Sequence, residues 1–128
     1  MNVLVIEDNL QNQYLVCFLL EHAGHLVTLT GDATEGIEQI SISKPDIILL
    51  DIDLPGMDGY ATAKHLRLLN GLETVPIVAI TSHALLGDRD RAIAAGCNEY
   101  LEKPIDPDTF VAQIELIGKK AFTIKDQQ

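Results

Sequence analysis

Positive charge is scarce in this sequence: nine Lys and Arg stand against 19 Asp and Glu among 128 residues, for a formal net charge of −10. A phosphodiester backbone would be repelled by such a chain, and counterion release could not drive its binding, so no nucleic acid partner is expected. Long apolar runs are missing too. None approaches the roughly 20 residues that a membrane-spanning helix needs, and Met1 leads into Val3-Leu4-Val5-Ile6 with no basic segment before it. This predicts a cytoplasmic protein with no direct membrane insertion. Cysteine is limited to Cys17 and Cys97, without a CxxC pair or a ligand-like His beside either. Both are expected as reduced, mostly buried thiols.

What is present has the composition of a soluble globular domain, with 47% apolar and 22% charged residues. The length fits one compact unit, expected over residues 1–120 and followed by a polar tail over 121–128. Two apolar periods alternate along the chain. Short β-branched runs predict strands at Val3 to Ile6, Leu26 to Thr30, Asp46 to Leu50, Ile77 to Ile80 and Glu99 to Leu101. Between them, Tyr14, Phe18 and His22 mark one face of a first helix closed by Gly24, and Ile37 and Ile40 mark a second begun near Asp32. A third carries Ala63, Leu66 and Asn70 and stops at Gly71. The fourth runs from about Leu85 to Ala95, and the fifth places Phe110, Ile114 and Ile117 on one face after Pro107-Asp108. Gly56 and Gly59 are expected to serve turn geometry only.

The result is an α/β chain of the (βα)₅ kind. Right-handed crossovers and coverage of both faces favour a doubly wound parallel sheet of strand order 2-1-3-4-5. Ligands of such sheets bind beyond the carboxyl ends of the strands, so the residues that follow each strand are the informative ones.

Those residues are Glu7-Asp8 after the first strand, Asp51-Ile52-Asp53 after the third, Thr81-Ser82 after the fourth and Lys103-Pro104 after the fifth. Carboxylates crowded at one place repel one another unless protons or a cation neutralise them. Hard oxygen donors with room for water suit Mg²⁺. A carboxylate at the end of a buried strand can act as a nucleophile towards phosphorus. Such a transfer depends chiefly on positioning and charge neutralisation, which a metal, the Thr81 hydroxyl and the Lys103 ammonium can supply.

Four segments carry a family resemblance: Val3-Leu-Val-Ile-Glu-Asp-Asn9, Pro45-Asp-Ile-Ile-Leu-Leu-Asp-Ile-Asp-Leu-Pro-Gly-Met-Asp-Gly59, Ile80-Thr-Ser82 and Tyr100-Leu-Glu-Lys-Pro104. In this order and spacing the sequence resembles the receiver domains of two-component response regulators, from Val3 to about Lys119. The resemblance implies a flavodoxin-like fold and a stand-alone phosphoacceptor in a phosphorelay. Asp51 would be the phosphoacceptor, and Glu7, Asp8, Asp51 and the backbone carbonyl of Asp53 would hold Mg²⁺ or Mn²⁺. Thr81 and Lys103 would contact the phosphoryl group, Thr81 and Tyr100 would form the switch, and the Lys103-Pro104 bond would be cis. The implied partners are a histidine kinase or a histidine phosphotransfer protein and a downstream protein target. No external substrate is expected to be turned over, and with no output domain in the sequence, signalling is expected by protein contact.

Other readings compete with these. Ile48-Leu-Leu-Asp51-Ile-Asp53 resembles the Asp-x-Asp strand of haloacid-dehalogenase-type phosphatases, but two βα units precede it here. A flavodoxin-like FMN carrier would need a hydroxyl- and glycine-rich loop where this chain has Glu7-Asp8-Asn9-Leu10-Gln11. Taken singly, Glu7-Asp8 could be a solvated loop, Lys103 a surface lysine and Tyr100 a static edge aromatic. His22, His25 and His65 are expected to be exposed or at the core edge. Asp53 and His83 are expected at the mouth of the site, where their charges could modulate the approach of an anionic donor.

Overall fold

The computed structural model describes residues 1–82 and 87–126, the last six of them as backbone only. Its elements, in chain order, are β1 (Asn2–Ile6), α1 (Leu10–His22), β2 (Leu26–Thr30), α2 (Ala33–Ile42), β3 (Ile47–Asp51), α3 (Gly59–Leu68), β4 (Ile77–Thr81), α4 (Asp88–Ala94), β5 (Glu99–Glu102) and α5 (Phe110–Asp126). The strands form one parallel sheet in the order β2-β1-β3-β4-β5, the doubly wound order expected from the sequence.

β3 and β4 are buried along their whole length, as central strands covered on both faces must be. Their alternate residues feed two cores. Ile48, Leu50, Ile77 and Ala79 pack with Ala63 and Leu66 of α3 and Ala92 of α4. Ile47, Leu49, Val78 and Ile80 pack with Val16 and Leu20 of α1 and with Phe110 and Ile114 of α5. The period-two alternation of a strand thus sorts its side chains between two helical layers.

Three helices differ from their expected form. α3 ends at Leu68, because Leu69 turns to an extended backbone (φ −70°, ψ 142°), so Asn70 lies beyond the helix and Gly71 does not close it. On α1 the buried residues are Val16 and Leu20, whereas Tyr14, Phe18 and His22 stack along the outer face. Tyr14 to Leu20 is one unbroken apolar run, so spacing alone does not single out a face. On α5 the helix continues to Asp126, past the start of the expected polar tail. No glycine or proline interrupts residues 119–126, so nothing in the sequence stops the helix at 120. The expected start of α4 at Leu85 lies outside the described residues, and the helix is seen from Asp88.

Candidate functional site

The first turn of α1 holds the loop after β1. Asn9 caps the helix, its side chain accepting from the Asn12 N–H at 3.0 Å, and Gln13 Nε2 donates to the Glu7 carbonyl at 2.6 Å. Glu7 is thereby fixed in a buried position while Asp8 stays exposed. Asp51 ends β3, only 5% exposed. Carboxylate oxygens of Glu7, Asp8 and Asp51 lie within 4.8 Å of one another. Three sequence-predicted acids from two strands therefore meet at one point.

Lys103, in the segment after β5, reaches into this group. Its Nζ lies 2.9 Å from Glu7 Oε1 and 2.9 Å from Asp51 Oδ2. The bond between Lys103 and Pro104 is cis. The electrostatics follow from crowding. Burial, with Asp51 beside it, raises the pKa of Glu7 above its ordinary value, against the pull of Lys103. For Lys103, burial works against the charge, but hydrogen bonds to Glu7 and Asp51 outweigh it and hold the pKa above the ordinary lysine value. Lys103 is thus paired with two carboxylates of a group of three. The donor set is all hard oxygen, and exposed Asp8 keeps one side of it open to solvent, so these residues fit a divalent cation that retains bound water.

The other oxygen of Asp51, Oδ1, accepts from the Asp53 N–H at 2.8 Å. The Asp53 carboxylate stands outside the acidic group. It accepts from Thr81 Oγ1 at 2.8 Å, from the Ser82 N–H at 2.7 Å and from Ser82 Oγ at 3.2 Å. Thr81 itself is 1% exposed at the end of β4. Ser82 is a site residue that the sequence marks only by its adjacency to Thr81. His83, expected opposite Asp53, lies outside the described residues.

Tyr100 is half-buried beside the core formed with α3 and α4, and among the described residues its buried hydroxyl has no hydrogen-bond partner. Burial, with Asp88 nearby, raises its pKa. In the sheet register Tyr100 opposes Ala79 and Glu102 opposes Thr81, so Thr81 and Tyr100 are diagonal neighbours on one face. A cavity of about 550 Å³ lies at the opposite end of the sheet, between Met1, Asp46 and Pro76, which precede β1, β3 and β4. It has no part in this arrangement.

Comparison with known proteins places this geometry. Residues 3–115 match the response regulator receiver domain family. The chain belongs to that family. The polar-differentiation response regulator DivK of Brucella anthropi is 33% identical over 114 residues, covering 89% of this chain and 93% of DivK. Among solved structures, the receiver domain of the sensor histidine kinase PA1611 from Pseudomonas aeruginosa is 34% identical. It has a TM-score of 0.78, covers 93% of this chain and 94% of its own, and was determined with a magnesium ion coordinated in its active-site cleft. The BeF₃-activated N-terminal receiver domain of RstA from Klebsiella pneumoniae is 28% identical, with a TM-score of 0.81, covering 92% of this chain and 98% of its own. The receiver is a domain of two-component signalling with an acidic cluster at its phosphorylation site. The phosphatase and FMN-carrier readings gain no support. Among the described residues no helix is long and apolar enough to cross a membrane.

Proposed function

We propose that Asp51 accepts a phosphoryl group from a histidine kinase or histidine phosphotransfer protein, with Mg²⁺ or Mn²⁺ held by Glu7, Asp8, Asp51 and the backbone carbonyl of Asp53. The observation that carries this reading is the setting of Asp51, a buried carboxylate held between Lys103 Nζ at 2.9 Å and the Asp53 N–H at 2.8 Å. Attack by an Asp51 oxygen on the phosphorus of a phosphohistidine forms the acyl phosphate and releases the imidazole. The metal, when bound, neutralises charge on the carboxylates and the incoming phosphoryl group. Lys103 follows the phosphoryl oxygens as they arrive, and the Thr81 hydroxyl donates to one of them. The magnesium ion in the related PA1611 receiver supports Mg²⁺ as the cation.

Thr81 and Tyr100 then form the switch, with Thr81 drawn to the phosphoryl group and Tyr100 filling the space behind it. A switch needs contacts that differ between its two states, and the phosphoryl–hydroxyl contact supplies them. The altered surface of α4, β5 and α5 is read in the cytoplasm by a downstream protein, without turnover of an external substrate. Acetyl phosphate or phosphoramidate with Mg²⁺ should add one phosphoryl group to the intact mass, and a chelator should prevent it. Equal labelling of an Asp51→Asn protein would overturn the assignment.

A further inference from the structure

We propose that Asp53 is a positioning residue whose carboxylate, in the unmodified protein, occupies the Thr81 hydroxyl and the Ser82 N–H, the donors that a phosphoryl group on Asp51 must take over. The inference rests on the reading of Asp51 as phosphoacceptor. Asp53 as a residue is exposed, and an exposed carboxylate is ordinarily satisfied by water. Here three donors from two consecutive residues converge on it: Thr81 Oγ1 at 2.8 Å, Ser82 N at 2.7 Å and Ser82 Oγ at 3.2 Å. The Asp53 N–H is itself tied to Asp51 Oδ1 at 2.8 Å, so the segment that carries this carboxylate is anchored to the acceptor.

The chemistry of the two anions is the same in kind. A carboxylate only accepts hydrogen bonds, as do phosphoryl oxygens, and both bind hydroxyl and backbone N–H donors more strongly than neutral acceptors do. Asp53 therefore stands in for the phosphoryl group before it arrives. Two consequences follow. Phosphorylation must displace Asp53 from its donors, which weakens the hold on any phosphoryl-like anion. Thr81 is also already drawn towards the acceptor strand, and Tyr100, its diagonal neighbour, already has its hydroxyl buried. The unmodified chain lies nearer its switched form than it would with a non-accepting side chain at position 53.

The test uses the full chain with Mg²⁺ and titrates beryllofluoride as the phosphoryl analogue. Asp53→Ala should bind it about tenfold more tightly than the native protein, the worth of roughly one charge-assisted hydrogen bond released. The gain should shrink in a Thr81→Ala background, because the hydrogen bond that each substitution removes joins the same two residues. An equal gain in both backgrounds would mean simple charge repulsion and would overturn the proposal, as would no gain at all.

A second readout needs neither metal nor phosphate. In the metal-free, unmodified protein, Asp53→Ala and the isosteric Asp53→Asn should shift the Thr81 methyl resonance and release its fixed rotamer. An unchanged Thr81 in both variants would overturn the proposal. If beryllofluoride binds native and Asp51→Asn proteins alike, the phosphoacceptor assignment fails instead, while the Thr81 methyl still reports on the hydrogen bond to Asp53.

Discussion

A Cβ added to Gly59 would sit 2.5 Å from the Cα of Ile52, the residue directly after Asp51. Gly59 opens α3 and is buried, so the helix approaches the loop after β3 only because no side chain intervenes. Turn geometry, expected of both Gly56 and Gly59, holds for Gly56, with a φ of 70°, whereas Gly59 is required for close approach. Gly59→Ala should destabilise the fold by roughly 1–3 kcal/mol through overpacking and slow labelling by acetyl phosphate, as urea denaturation and intact mass would report. Native stability and native rates would show that the loop yields freely. Burial pushes the Cys97 thiol up to about 11, and Cys17 is raised less and is only half-buried. Alkylation at pH 8 should therefore modify Cys17 first and reach Cys97 only on unfolding, because the thiolate is the reactive form. At this scale the convergence of the candidate site is legible in the sequence from the residues that follow each strand, as with Asp51 and Lys103, which the fold brings to 2.9 Å. The direction of the Asp53 carboxylate and the use of Ser82 depend on how two loops face each other, which no local pattern encodes.

Among the elements, α3 is held by a residue that carries no signal in the sequence. Arg67, in its last turn, donates from Nη1 to the Leu72 carbonyl at 2.8 Å and the Val75 carbonyl at 2.6 Å, and from Nη2 to the Gly96 carbonyl at 2.6 Å and Asn98 Oδ1 at 3.0 Å. Asn98 Oδ1 also accepts from the Ile77 N–H at 2.9 Å. One guanidinium thus joins the end of α3 to the segments that lead into β4 and β5, and burial lowers its pKa. Arg67→Ala should cost roughly 2–4 kcal/mol, since several acceptors lose a charged donor together. Arg67→Lys should recover little, because an ammonium lacks the planar fork. A loss below about 0.5 kcal/mol in urea melts, the size of an ordinary surface substitution, would remove this role. On α1 the inverted face gives a sharper contrast. Leu20→Ala should cost roughly 2–5 kcal/mol, while Phe18→Ala, 56% exposed, should stay within about 0.5 kcal/mol. Spaced apolar residues identify the buried face of an element, as Phe110 and Ile114 do on α5, and a capping side chain identifies its start, as Asp32 does for α2. The unbroken apolar run of α1 holds no such information.

For the whole molecule, the alternation of strands and helices with a right-handed crossover rule narrows the sheet order to a few candidates that cover both faces, and the family resemblance of the four strand-end segments selects 2-1-3-4-5 among them. The same order gathers Glu7, Asp8 and Asp51 at one end of a chain that already carries a net charge of −10, so a divalent cation should do more there than screen. Burial and Asp51 place the pKa of Glu7 above 4.5, so the folded state holds this proton more tightly than the unfolded chain does. The stability it lends is present below pH 4.5 and is lost as pH rises through the folded value. Mg²⁺ bound as proposed would take the proton's place, and a ligand that binds only the folded state stabilises it by mass action. The rise in Tm on adding Mg²⁺ should therefore be small near pH 4.5 and grow as pH rises through the folded pKa of Glu7. Thermal melts with chelator, with Mg²⁺ and with K⁺ at matched ionic strength, taken across that range, separate binding from screening. A rise that is the same at every pH, or that K⁺ reproduces, would show that the three carboxylates do not act together as a cation site.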